Sequence, residues 1–120
     1  MISPVRRILD TWVANLNRGS LDDVVDMYAL DAVLLATFET EPARTPAAIG
    51  AYFAGLGARV DLSVEVEEDS LSEHGTVIAG LYTFAHGNGP ERVTAPSRFT
   101  LVVDPGQERP ILHHHSSLLP

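Results

Sequence analysis

With 120 residues, 45% of them apolar, and a formal net charge of −8, the chain is expected to fold as one domain over residues 1–120. All eight basic residues are arginine and cysteine is absent, which excludes lysine Schiff bases, thiol nucleophiles, disulfides and thiolate metal centres. The acidic balance argues against nucleic-acid or membrane partners, and no apolar run nears the roughly 20 residues of a membrane span; MISPVRRILD lacks a signal-peptide core, so a cytoplasmic location is expected.

In chain order, residues 3–17 form an amphipathic helix. Ser3 is its N-cap, Pro4 suits its first turn, and Val5, Ile8, Leu9, Trp12 and Leu16 make one apolar stripe. Gly19 ends it. Ser20 caps a shorter second helix, LDDVVDMY, with Asp22 and Asp23 in the dipole-favoured first turn and Tyr28 on its buried side. DAVLLATF follows as a strand buried on both faces. Thr45 and Pro46 start a third helix, in which Ile49, Tyr52, Phe53 and Leu56 share a side.

The second half alternates. VDLSVEVEED is a half-exposed strand, SEHG a turn, TVIAGLYTFAH a central strand and VTAPSRFTLVV the next. DPGQERP turns the chain into the last strand, ILHHHSSLL. Three helices followed by an antiparallel meander give an α+β arrangement, with the helices on one face of a curved sheet.

The run His113, His114, His115 is the unusual feature of that last strand. Side chains alternate along a strand, so His113 and His115 share one face and His114 takes the other. Three ligands cannot converge on one metal from such a strand. The i, i+2 pair can, but it lacks a third ligand, and His74 and His86 lie elsewhere, so no metal or other cofactor is expected. In the last hairpin, Arg98 opposite Ser116 would place Thr100 opposite His114 and Val102 opposite Leu112. Arg98, Thr100, His114 and Ser116 would then share a face, with Phe99, Leu101, His113 and His115 on the other. A slip of one residue reverses the relation between the two strands.

ILHHHSSLLP, SRFTLVV, LYTFAHGNG and NRGSLDDVVDMYALDAVLL together resemble, in order and over nearly the whole chain, one group of proteins. These are the bacterial relatives of the association (hub) domain of calcium/calmodulin-dependent protein kinase II, within the nuclear transport factor 2-like, or SnoaL-like, superfamily. The resemblance implies a cone-shaped, cystatin-like fold, in which three N-terminal helices close over a strongly curved antiparallel sheet around a pocket. It also implies the hairpin register above, with Arg98 matching a pocket arginine of the hub. Two further hub arginines correspond to Ser116 and Tyr82, so this pocket is less basic, and the tryptophan usual before the last strand is replaced in the stretch holding Arg109 and Pro110.

The implied pocket contains Arg98, His114, Tyr82 and Ser116, with Trp12, Tyr28 and Tyr52 as aromatic walls. Each of the three aromatics also has a plain core role. Arg98 either pairs internally with an acid such as Asp31 or Glu39, or binds a small carboxylate. The outward set His113, His115, Phe99 and Leu101 would form a homodimer or larger self-assembly. The function expected is a ligand-binding, oligomerising domain. The alternative is an isomerase, cyclase or hydratase with His114 as catalytic acid/base and Tyr82 or Arg98 as oxyanion donor.

Overall fold

A computed structural model describes residues 2–120. Helix α1, Pro4–Asn17, begins where the Ser3 side chain accepts the Arg6 N–H, and Gly19, at φ +74, turns the chain away after it. Helix α2 is one short element, Leu21–Val25. Helix α3, Pro46–Gly57, is capped by Thr45, which accepts the Ala48 N–H. It crosses α2 closely: a Cβ at Gly57 would lie 1.9 Å from Leu21 Cδ1.

The strands are β1 (Tyr28–Leu35), β2 (Ser63–Val66), β3 (Ser72–His74), β4 (Val77–His86), β5 (Val93–Val103) and β6 (Ile111–Leu118). They form one sheet in the order β1-β6-β5-β4-β2, with β3 also on β4. The first strand runs parallel to the last, so the sheet is mixed rather than wholly antiparallel. Tyr28 therefore opens a strand and does not close a helix. Residues 36–38, expected at the end of that strand, have already left it. The SEHG turn contributes the short β3, and β2 keeps only the centre of the expected alternating stretch.

The helices cover the concave face alone. Leu9, Trp12 and Leu16 from α1 meet Ile49 and Phe53 from α3 and Ile78, Tyr82, Phe84, Phe99, Leu101 and Ile111 from the sheet. Trp12 stacks on Tyr82 at 5.7 Å between ring centroids, and Tyr82 on Phe99 at 4.5 Å.

The β5–β6 hairpin sets which residues enter that core. Val103 pairs with Ile111, but Val102 pairs with His113, so Leu112 is an extra residue in a bulge. Beyond it the register is Leu101↔His114, Thr100↔His115, Phe99↔Ser116 and Arg98↔Ser117. The parallel β1–β6 pairing is interrupted at the same level, between Tyr28↔Ile111 and Val33↔His113, and both Leu30 and Leu112 are exposed there. Arg109 ties the hairpin to the helical layer. It donates 2.8 Å to the Tyr28 carbonyl, reaches the Val25 carbonyl and pairs with Asp26 at 3.5 Å.

At the far edge, the Asn17 side chain donates 3.0 Å to the Val64 carbonyl and accepts the Val64 N–H at 2.8 Å. An amide side chain at the end of α1 thus takes the place of a neighbouring strand for β2. Asn17→Ala is expected to cost about 1–3 kcal/mol by leaving both groups unpaired, measured by urea unfolding. No change would mean that water replaces the amide without loss.

Candidate functional site

The centre of the cone is a chain of polar groups set in aromatic rings. Trp12 arrives from α1, Tyr28 from the first residue of β1, Tyr82 from the middle of β4 and His114 from β6. Trp12 Nε1 donates to the Tyr28 hydroxyl at 3.0 Å. That hydroxyl lies 2.8 Å from His114 Nδ1, and His114 Nε2 lies 3.0 Å from the Tyr82 hydroxyl. The Tyr28 oxygen already accepts the indole N–H, so its own proton goes to Nδ1. The reverse orientation would leave a buried O–H with no acceptor. His114 is therefore the Nε2–H tautomer and donates to Tyr82. The Tyr82 hydroxyl lies by the side chains of Ser116 and Thr37, which hydrogen-bond each other. The polar series runs Trp12, Tyr28, His114, Tyr82, then the Ser116–Thr37 pair.

Burial sets the electrostatics. Trp12, Tyr28 and Tyr82 each keep 1% of their surface exposed and His114 2%, so their own side chains fill the interior and water scarcely reaches them. Desolvation lowers the His114 pKa to about 3, with smaller contributions from His113 and His115. It also pushes both phenols well above their ordinary value. The group is uncharged at neutral pH. With both ring nitrogens engaged, His114 is a fixed hydrogen-bond relay and, in this closed state, a poor general base.

Among the sequence-derived pocket residues, the structure brings together Trp12, Tyr28, Tyr82, His114 and Ser116. Tyr52 stands apart. It is half-buried against Phe53, edge to face at 5.2 Å, and lines a surface cleft with Ala36, Glu39 and Pro42. Burial pushes its phenol up to about 12, against the opposing effect of a hydrogen bond with the Phe38 backbone.

Arg98 is not in the interior. The Leu112 bulge moves the register by one residue, so Arg98 lies on the exposed convex face and donates 3.1 Å to Ser117 Oγ. It has neither an internal carboxylate partner nor access to His114. The same slip corrects the outward set: Phe99 and Leu101 are core residues, 3% and 1% exposed. His113 and His115 do lie on the convex face, beside Val102 and Thr100. Two contributors were missed in the sequence: Thr37, read as strand, and Arg109, noted only where a tryptophan was expected. Among the described residues no group of three or more His, Cys, Asp or Glu side chains could hold a metal ion, and no helix is long and apolar enough to cross a membrane.

The sequence pattern of the SnoaL-like domain matches residues 9–107. The chain belongs to the SnoaL-like domain family. None of the curated proteins matches this SnoaL-like domain in sequence. Among solved structures, it is similar to a Xanthomonas campestris protein assigned as a calcium/calmodulin-dependent protein kinase II association domain. The two share 29% identity over 96% of this chain and 87% of the other, with a TM-score of 0.72. It shares its fold with the epoxide hydrolase/cyclase-like enzyme SalBIII of pyran ring formation in salinomycin. That match has 19% identity, covers 96% and 90% of the two chains, and has a TM-score of 0.79.

The depressed His114 pKa gives this SnoaL-like domain a signed pH dependence. The unfolded chain takes up a proton near pH 6.5 that the folded chain refuses down to about 3, so stability falls as pH drops through that window. From pH 7.5 to 5.0 the wild type is expected to lose about 2 kcal/mol more than His114→Gln, read from urea midpoints. Parallel curves would show that His114 is not held neutral.

Proposed function

We propose that this SnoaL-like domain is a self-assembling, small-molecule-binding module and not an enzyme working through a His114 base. The observation that carries the assembly reading is the composition of the uncovered convex face. One row across it is Leu35, His115, Thr100 and Ala79; the next is Val33, His113, Val102 and Val77. Arg98 pairs between Ser117 and Leu81 in the row beyond. The chain carries 16 carboxylates, yet none falls in the first two rows; Glu67, beside Leu81, and Glu65, opposite Thr83, stand at the β2 margin. Interface cores are depleted of charge in this way, and a centre without acids lets two strongly acidic copies meet. The similarity to a protein assigned as an association domain supports the same reading.

Ligand binding is supported by the interior. A histidine between two tyrosine hydroxyls is a costly way to fill a core that apolar residues could pack. When the interior opens, such a set exchanges its internal hydrogen bonds for those of a polar-headed guest. The enzyme alternative is disfavoured because His114 has no free nitrogen and a pKa far below neutrality.

Sedimentation should give about twice the 13.0 kDa chain mass at micromolar concentration. Thr100→Glu, at the centre of the convex face, should return the protein to the mass of one chain with its circular dichroism unchanged. A wild type that sediments as a monomer throughout would overturn the assembly reading.

A further inference from the structure

The chain leaves β1 beside the aromatic interior. Residues 36–39 make a tight turn, with the Glu39 N–H donating 3.3 Å to the Ala36 carbonyl. Thr37 fastens the turn to Ser116 on β6, and the Phe38 backbone lies close to the Tyr52 hydroxyl on α3. The Phe38 ring drops inward between them. It packs on Phe84 at 5.8 Å, and Phe84 meets Tyr82 at 5.0 Å and Trp12 at 6.5 Å. Phe38, itself half-buried, is the outermost ring of the aromatic column that ends on His114.

Arg59 lies over this ring, its guanidinium carbon 4.5 Å from the centroid. Its Nη1 donates to His86 Nε2 at 3.0 Å. Among the described residues, no carboxylate lies within ion-pair distance of Arg59, whereas Arg6 has two and Arg109 one. A guanidinium fork therefore stands above the outermost ring of an aromatic column, with most of its donors uncommitted.

We propose that Phe38 occupies the seat of a ligand's ring, and that Arg59 anchors the ligand's anionic group. The guest is a small organic acid with an apolar ring, bound when residues 36–39 swing outward. The inference rests on the interior being a ligand site. A guest ring regains the contact with Phe84 that Phe38 gives up, and a carboxylate beside it meets the Arg59 fork. Opening also uncovers the Tyr52 hydroxyl, beside which the Phe38 backbone lies in the closed state. Glu39 is exposed on the same turn and moves away with it, which removes the nearest repulsion on that segment. This assigns the carboxylate contact to Arg59, on the loop after α3, in place of Arg98.

The test uses benzoate and its neutral counterpart benzyl alcohol, followed by amide NMR shifts. In wild type, benzoate is expected to move the signals of residues 36–39, Arg59 and Phe84. Phe38→Ala, which vacates the seat, should bind benzoate at least about tenfold tighter. Adding Arg59→Met should weaken benzoate about tenfold and spare benzyl alcohol, as loss of one charge-assisted contact does. If Phe38→Ala does not fold, wild type against Arg59→Met makes the same comparison. Equal binding of both probes, indifferent to Arg59, overturns the anchor and leaves the interior site standing. No shift in the column with either probe overturns both.

Discussion

The one-residue bulge at Leu112 is the constraint on which the rest of this domain depends. Strand side chains alternate with a period of two, so a single extra residue inverts every inward and outward assignment between β5 and β6. With it, Phe99, Leu101, His114 and Ser116 all point into the cone. Without it, either Arg98 would be buried without a carboxylate or His114 would leave its two tyrosines. The interruption of β1 at the same level keeps the third strand in step, so that Ala32 and Leu34 still face inward.

What the bulge assembles is polar yet dry. Each group in the Trp12–Tyr28–His114–Tyr82 series supplies what its neighbour lacks, and no buried side-chain nitrogen or oxygen among the described residues is left without a partner. Such a series favours one arrangement over the alternatives that an all-apolar core would permit. It also separates two roles that the fold could have combined. The concave side holds a neutral histidine, and the convex side holds the two that remain near solvent.

Much of this was legible from the residues. The caps at Ser3 and Thr45, the apolar stripe of α1 and the alternation around His114 are local signals, and the structure has them where the sequence puts them. The hairpin register was read correctly only at its closed end. There Val103 pairs with Ile111, in step with the expected pairing of Val102 and Leu112. Nothing local marks Leu112 as the extra residue, because an exposed leucine in an apolar strand resembles its neighbours. The bulge is fixed by β1 on the other side of β6, a contact more than seventy residues away in sequence. Tyr28 was misplaced for a related reason: the helical spacing of LDDVVDMY continues one turn beyond the point where β6 captures the chain. Residues 36–38 read as strand from composition, yet Thr37 and Phe38 are claimed by Ser116 and Arg59.

The Asn17 clamp on Val64 bears on how copies of this chain can meet. It occupies one lateral margin of the sheet, and the bridge between Leu34 and Ala43 covers part of the other. Strand-by-strand growth, which needs a run of free main-chain donors and acceptors, is thus hindered at both ends. The broad convex face stays open. Association through a face of this kind closes on itself and stops at a fixed stoichiometry, whereas association through margins has no natural end. If copies associate as proposed, a single amide at the end of a helix thus favours finite particles over fibres.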